Sequence, residues 1–148
     1  MPTYTVFAQT GRLSDSKKST LAAEITRVHK EQTGAQTFFA QVIFKDVPQG
    51  NHFVGGAPLT SDHVFVQGQI RAGRDAATKR ALLEAMLNAV STAASVKKIN
   101  TWVYIVDVPA AHMAEYGHIL PEPGTEAAWL SGLPAADRAK MEATGKPR

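Results

Sequence analysis

The chain of 148 residues contains no cysteine, which excludes a disulfide framework and any mechanism that needs a thiolate. No apolar run approaches the roughly 20 residues of a membrane span, and the first residues lack the basic and then apolar layout of a signal peptide. The net charge is +3, but lysine and arginine are scattered, whereas a nucleic-acid surface needs a clustered basic face. We therefore expect a cytoplasmic protein without membrane or nucleic-acid partners.

Several motifs that carry chemistry are also missing. There is no Gly-x-Ser-x-Gly nucleophile elbow, and "VGGA" (54–57) lacks the flanking elements of a phosphate-binding loop. His112, Glu115 and His118 lie three residues apart, but this spacing matches no standard zinc signature, and nearby glycine and proline interrupt a helix. We expect no metal site.

The chain does contain an internal repeat. The stretch "VFAQTGRLSDSKKSTLAAEI" aligns with "VFVQGQIRAGRDAATKRALLEAM", and "VIFKDVP" then aligns with "VYIVDVP". The shared Asp-Val-Pro endings argue against coincidence. With 44% hydrophobic and 20% charged residues, the length suits a single domain. We predict one domain over 1–148, made of repeat one (2–48), a loop (49–62), repeat two (63–109) and a C-terminal segment (110–148).

Each repeat has the pattern strand, helix, strand. Ser14 or Asp15, and Asp75, are predicted helix N-caps, and Gly34 is a predicted C-cap. The inward helix faces are predicted to carry Leu21, Ala22, Ile25, Val28 and His29 in the first helix, and Leu83, Met86, Leu87 and Val90 in the second. The runs "FFAQVIF" and "TWVYIV" are apolar enough to predict strands that are buried on both faces.

A strand–helix–strand unit of this length favours a parallel crossover. Two copies predict an α/β (α+β) fold, with a four-stranded sheet and two helices on one of its faces. The other face would then expose apolar surface, and such a surface is typical of assembly. We therefore expect a homo-oligomer.

Pro2 stands directly ahead of an apolar strand. Because proline has no N–H for a sheet, its place at the start of a strand has a purely structural explanation. Removal of Met1 would instead leave Pro2 with a free secondary amine, a group that titrates near physiological pH, roughly 7.7–8.0. If Met1 stays, the nitrogen is an amide and that chemistry is lost. The position alone leaves both alternatives open.

Four further side-chain types can carry chemistry. Arg71 and Arg74 in "RAGR" follow a predicted strand, where they form either a carboxylate clamp or two solvated surface cations. His29 lies on an apolar helix face, Tyr104 lies within a strand, and Glu115 lies in an apolar stretch. Each of these three has a structural explanation, as a core or space-filling residue or a solvated carboxylate, beside the functional one.

Taken together, these residues resemble the tautomerase superfamily, and within it the branch of cis-3-chloroacrylic acid dehalogenase. The stretches "PTYTV", "TGAQTFFAQVIF", "FVQGQIRAGR", "WVYIVDVP" and "EYGHILPEPG" carry the likeness over nearly the whole chain. The resemblance implies a tautomerase β-α-β fold that assembles as a homotrimer, and chemistry that needs no metal or organic cofactor.

The resemblance also implies residue roles. In such enzymes the N-terminal proline amine is catalytic, so Pro2 would deliver a proton to the carbon next to the substrate carboxylate. Arg71 and Arg74 would hold that carboxylate, and Glu115, helped by Tyr104, would activate water at the β-carbon. The implied reaction is hydration of a cis-3-haloacrylate, followed by loss of the hydrogen halide to give malonate semialdehyde.

His29 would assist substrate binding, by the same resemblance. The sequence departs from the specialised dehalogenase at Ala35, where that enzyme has threonine, and at Phe39, where it has leucine. These departures predict a low dehalogenase efficiency. Tautomerisation of a 2-oxo acid enol such as phenylenolpyruvate is therefore an alternative main activity, and a non-catalytic trimeric binding protein that keeps Met1 is a second alternative.

Overall fold

The computed structural model of the chain describes residues 2–145. None of the helices in this range is long and apolar enough to cross a membrane. The elements are β1 (Pro2–Gln9), α1 (Asp15–Thr33), β2 (Gln41–Val47), β3 (Phe53–Val54), β4 (Ala57–Pro58), β5 (Val64–Arg71), α2 (Ala76–Ala94), β6 (Thr101–Val108), β7 (Ala114–Glu115), β8 (His118–Ile119), α3 (Glu126–Gly132) and α4 (Ala135–Ala143).

A four-stranded mixed sheet with the strand order β2-β1-β5-β6 forms the centre of the fold. Strands β1 and β2 are parallel, as are β5 and β6, so each pair is joined by a helical crossover. The two β-α-β units meet where β1 and β5 pair antiparallel. The predicted α+β fold, with two β-α-β repeats, is confirmed. The pairs β3-β4 and β7-β8 form two small separate sheets.

The ends of the two long helices follow the predicted capping. Ser14, rather than Asp15, is the N-cap of α1, and its side chain accepts a hydrogen bond from the Lys17 amide at 3.3 Å. Asp75 caps α2 in the same way, because it accepts from the Thr78 amide at 2.7 Å. Gly34 ends α1 in the left-handed conformation that glycine adopts without strain (φ 72°).

Both helices pack on one face of the sheet. In α1 four of the five predicted residues are buried, Leu21, Ile25, Val28 and His29, whereas Ala22 is half-buried. In α2 the prediction was wrong by one position at its start, because the buried stripe is Leu82, Met86, Val90 and Ala94. Leu83 is 37% exposed. Adjacent leucines lie about 100° apart around a helix, and the hydrophobic pattern alone did not distinguish which one faces the sheet.

The far face of the sheet is open within one chain. Ile43, Trp102, Tyr104 and Val106 are exposed large apolar side chains on the outer strands β2 and β6. The prediction that both strands are buried on two faces is therefore wrong for the isolated chain. Their continuous apolar character is explained if this face is covered by something else, since an exposed apolar patch of this kind usually marks an interface.

Tyr4 helps to fix the register between β1 and β5. It lies opposite Gly68, and a Cβ at Gly68 would come within 2.4 Å of the Tyr4 ring. A side chain at position 68 would therefore push the ring away, and glycine is needed for the close approach. The fully buried ring reaches across to α1, where the Tyr4 hydroxyl is hydrogen-bonded to Nδ1 of His29 at 2.8 Å.

Candidate active site

The antiparallel pairing brings the start of β1 to the end of β5. Pro2 pairs with Ile70, and Arg71 is the next residue and the last of its strand. Arg71 also pairs with Val108 at the end of β6. Pro2, which is fully buried, and Arg71 therefore share one edge of the sheet, as the resemblance implies.

Arg71 is buried, with only 4% of its surface exposed. Its guanidinium donates to the carbonyl of Pro121 at 2.7 Å and forms an ion pair with the carboxylate of Glu126. Its Nε lies buried without a hydrogen-bond partner among the described residues. A solvated surface arginine would be exposed, so this alternative is excluded for Arg71.

Arg74 lies three residues further on and is half-buried. It donates to the backbone carbonyl of Arg71 at 2.8 Å, which holds the Arg74 side chain beside the end of β5. Burial lowers the pKa of Arg74, and the neighbouring positive charge of Arg71 lowers it further. Two cations held together at a partly desolvated site favour an anionic ligand, because each destabilises the other in its absence.

A cavity of about 560 Å³ opens beside the arginines. Pro123 packs closely on the backbone between them, because a Cβ on Gly73 would come within 2.4 Å of the Pro123 ring. The size is within the range of small-molecule sites. The lining residues are Thr33, Gly34, Ala35, Gln36, Phe39, Arg71, Gly73, Arg74, Pro123, Glu126, Ala127, Trp129 and Leu130.

Glu115 is presented by the β7-β8 hairpin. The two-residue turn at Tyr116 and Gly117 has positive φ angles of 53° and 83°, and the Tyr116 hydroxyl donates to the Phe38 carbonyl at 2.5 Å. Glu115 lines a second cavity of about 880 Å³, and Phe39 lines both cavities. The cavity of the arginine pair and the cavity of Glu115 therefore have Phe39 as a common wall residue.

The environment of Glu115 makes its carboxylate more basic. Burial raises its pKa above the usual value, and the positive charges of the N-terminus and of Arg71 partly offset this rise. The effect of Arg71 shows that the two groups lie within electrostatic reach. A carboxylate with a raised pKa is a stronger base when it is ionised, which suits general-base chemistry.

His29 is buried against Tyr4, with 2% of its surface exposed. Burial, followed by the positive charge of Arg74, lowers the pKa of His29 to about 3. The imidazole is therefore neutral at physiological pH. It lies next to the arginine cluster without lining either of the two cavities.

Tyr104 lies on the open face of the sheet, where it is 53% exposed. Its ring packs edge-on against Phe65, with 4.9 Å between centroids. Val108 lines the Glu115 cavity, and Tyr104 precedes it by four residues on the same strand face, roughly 13 Å away at about 3.3 Å per residue. One chain thus brings Pro2 and the arginines together near Glu115, but not Tyr104.

Two residues of the site escaped the sequence analysis. Glu126, which pairs with Arg71, and Trp129, on the cavity wall, both lie in α3. A helix start after "EPGT" was visible in the sequence, but no spacing connects residue 126 with residue 71. Over residues 2–145, no group of three metal-ligating side chains is assembled. His118 is instead bonded through Nε2 to Asp137 at 2.9 Å.

Comparisons with known proteins define the class. The chain is an enzyme of the tautomerase superfamily. It belongs to the family described as putative oxalocrotonate tautomerase enzyme, whose model matches residues 1–132. No curated protein matched the chain.

Similar solved structures show to which branch of the superfamily the chain belongs. N1, a member of the cis-3-chloroacrylic acid dehalogenase family, has 31% identity and a TM-score of 0.91, over 95% of this chain and 98% of N1. Native Ps01740 has 32% identity and a TM-score of 0.71, over 76% and 99%. The R7 fused 4-OT wild type asymmetric trimer has 26% identity and a TM-score of 0.71, over 79% and 94%. The chain therefore lies in the cis-3-chloroacrylic acid dehalogenase branch.

The depressed pKa of His29 predicts a stability that falls in mild acid. Between about pH 6.5, where an unfolded histidine titrates, and about pH 3, the unfolded chain binds a proton that the folded chain rejects. The free energy of unfolding therefore falls as the pH falls through this window. By pH 5 this loss reaches about 2 kcal/mol, at 1.36 kcal/mol per pH unit.

Urea unfolding at pH 7.5 and pH 5.0, at one protein concentration, tests this prediction. His29→Gln should lose less stability between the two pH values than the wild type, by about 2 kcal/mol. His112→Gln removes an exposed histidine and should behave like the wild type. An equal loss in wild type and His29→Gln would contradict the assignment of a buried, neutral imidazole.

Proposed function

We propose that the enzyme uses Pro2, after removal of Met1, to hydrate a cis-3-haloacrylate to malonate semialdehyde with low efficiency. Addition of water across the double bond places hydroxyl on the halogen-bearing carbon, and loss of the hydrogen halide then leaves the aldehyde. The observation that carries the proposal is that the buried Arg71, the half-buried Arg74 and a basic carboxylate lie near the edge where Pro2 begins β1.

The arginine pair is the proposed carboxylate site. Arg71 and Arg74 lie in one cluster beside the cavity and are the cations that line it. Charge-assisted bonds to a carboxylate are among the stronger hydrogen bonds. They would also withdraw electrons from the double bond, because the negative charge that develops on the carboxylate side during water addition is stabilised there.

Glu115 is the proposed general base for the attacking water. Its raised pKa supports this role, because a more basic carboxylate removes a proton from water more effectively. Pro2 supplies the second proton transfer, to the carbon next to the carboxylate. Its free amine would be an acid or a base according to which charges dominate: Glu115 and the substrate raise its pKa, and the two arginines lower it.

His29 and Tyr104 have more indirect proposed roles. The Tyr4 hydroxyl and Nδ1 of His29 share one hydrogen bond. We propose that the hydroxyl donates it, so that a neutral His29 carries its proton on Nε2 and assists substrate binding indirectly, since it lies next to the arginines without lining the cavity. Tyr104 lies too far from Glu115 within one chain. We propose that it reaches the Glu115 of a neighbouring subunit, and that it helps to orient the water there.

This role of Tyr104 requires the proposed homotrimer. The open apolar face with Ile43, Trp102 and Val106 supports assembly, and the 26% identical fused 4-OT structure is described as a trimer. A monomer in sedimentation equilibrium at micromolar concentration would contradict the proposal.

Tautomerisation of a bulkier enol acid, such as phenylenolpyruvate, is the second candidate. The size of the cavity, about 560 Å³, favours it, because a three-carbon acid would fill only a small part. Phe39 and Trp129 line the cavity with their rings 6.0 Å apart and offer apolar contact to an aryl group. This reaction moves one proton between oxygen and carbon, which Pro2 can do without an activated water.

Four rate measurements separate the two reactions. Glu115→Gln keeps the size and hydrogen bonding of the side chain but removes the base, which is typically worth 10²–10⁴-fold. It should therefore abolish most cis-3-haloacrylate turnover and leave much of any phenylenolpyruvate turnover. Pro2→Ala should reduce both rates, because a primary amine replaces the ring nitrogen.

Glu142→Gln is the matched control, since it removes an exposed carboxylate from α4, and it should leave both rates unchanged. Equal losses on both substrates in Glu115→Gln would show that Glu115 serves binding or folding. The assignment of Glu115 as the base would then be wrong.

A further inference from the structure

Residues 121–130, here called the strap, form one wall of the arginine cavity. The strap is attached at three points: Pro121 and Glu126 bind the guanidinium of Arg71, Pro123 packs on Gly73, and Trp129 Nε1 donates to the Ile119 carbonyl at 2.9 Å. Arg71 is thus the only guanidinium among the described residues that is seen to tie the strap to the central sheet.

Glu126 places a carboxylate directly on Arg71. One of its oxygens pairs with the guanidinium, and the other accepts from the Gly124 amide at 2.9 Å. This is the group, and the kind of contact, that a substrate carboxylate would need at the same cation. The chain therefore carries an internal counterpart of the carboxylate that Arg71 is proposed to bind.

We propose that Glu126 is a built-in competitor, which holds Arg71 in the free enzyme and is displaced by the carboxylate of the substrate as the strap moves. The proposal rests on the proposed function in one respect: Arg71 and Arg74 must bind a carboxylate. It adds a residue that sets how tightly the site binds such acids.

The unequal burial of Arg71 and Glu126 indicates that Glu126 is the partner that moves away when a ligand binds. Arg71 is nearly inaccessible, whereas the Glu126 side chain is 44% exposed. A partly exposed carboxylate returns to water at little cost, whereas a buried guanidinium does not. Two carboxylates on one guanidinium would repel each other, so the arrival of a second one favours release of Glu126.

An acid with an apolar group binds the site more tightly than a very small acid when both compete with Glu126 for Arg71. It gains contact with Phe39 and Trp129 on the cavity wall, which Glu126 does not offer. A very small acid only replaces the carboxylate of Glu126 with its own and gains no further contact. Competition by Glu126 weakens the binding of every such acid by the same factor. At a given concentration a small acid, which binds more weakly, then no longer fills the site, whereas an aryl or alkyl acid still does.

Trp129 provides a direct reporter of strap movement. The chain has two tryptophans, and Trp102 lies apart on the open sheet face. In a Trp102→Phe background, the fluorescence of Trp129 can be followed while 3-phenylpropanoate is added. This carboxylate has no carbon–carbon double bond outside its ring, so the enzyme cannot hydrate it. Glu126→Gln should bind this probe about fivefold more tightly, the factor that corresponds to losing one partly exposed ion pair.

In free Glu126→Gln the Trp129 emission should already resemble that of the liganded wild type. Glu122→Gln is the control, because it removes the same charge from the same strap at an exposed position, and it should bind the probe like the wild type. Calorimetry on chains that keep Trp102 measures the same dissociation constants independently of the reporter.

The remaining outcomes each overturn the proposal in a recognisable way. Equal affinity in wild type and Glu126→Gln would show that Glu126 is a bystander, while the carboxylate site itself stands. Weaker binding by Glu126→Gln would show that Glu126 positions Arg71 instead of competing for it. Absence of binding to both chains would overturn the carboxylate site and, with it, the competitor.

Discussion

The antiparallel pairing of β1 with β5 is the constraint on which the rest of the site depends. It joins the two β-α-β units, and it fixes Pro2 opposite Ile70, one residue before Arg71. The pairing is specified by the close contact of Tyr4 with Gly68, which leaves no room for a side chain. A shift of one residue would turn Tyr4 to the open face and break its bond to His29.

Arg71 is the electrostatic centre of this edge. It is buried, it pairs with Glu126, its charge lowers the pKa of Arg74, and it offsets part of the burial effect on Glu115. A buried cation of this kind needs a partner, because the cost of an uncompensated charge is several kcal/mol. Glu126 stabilises it in the free chain, and a substrate carboxylate can take over that role.

Much of the fold was predictable because each repeat carries local signals. The capping residues Ser14 and Asp75, the glycine that ends α1, and the alternating burial of β1 are all determined by neighbours in sequence. The open apolar face of the sheet was predicted from the two-helix arrangement, but β2 and β6 were predicted to be buried on both faces. An apolar strand has the same sequence pattern whether a helix or another subunit covers it. The choice between Leu82 and Leu83 failed for a similar reason.

Some residues of the candidate site were also found from the sequence, and others were not. The residues named from the sequence, Pro2 and the arginine pair, share one sheet edge near Glu115. Glu126 was missed because it lies 55 residues after Arg71, in a Pro- and Gly-rich segment. No short-range sequence pattern encodes the path by which this segment returns to Arg71. The position of Tyr104 relative to Glu115 is a tertiary property as well.

The central claim is that Pro2 carries a titratable amine at this edge, and ¹⁵N NMR of proline-labelled enzyme tests it most directly. The sequence has eight prolines, and only a proline at the N-terminus has a nitrogen that binds a proton. The account predicts one proline ¹⁵N resonance that titrates, with a midpoint that falls in Glu115→Gln because a neighbouring negative charge is lost. If all eight resonances stay at amide positions over the whole pH range, the proline mechanism is contradicted.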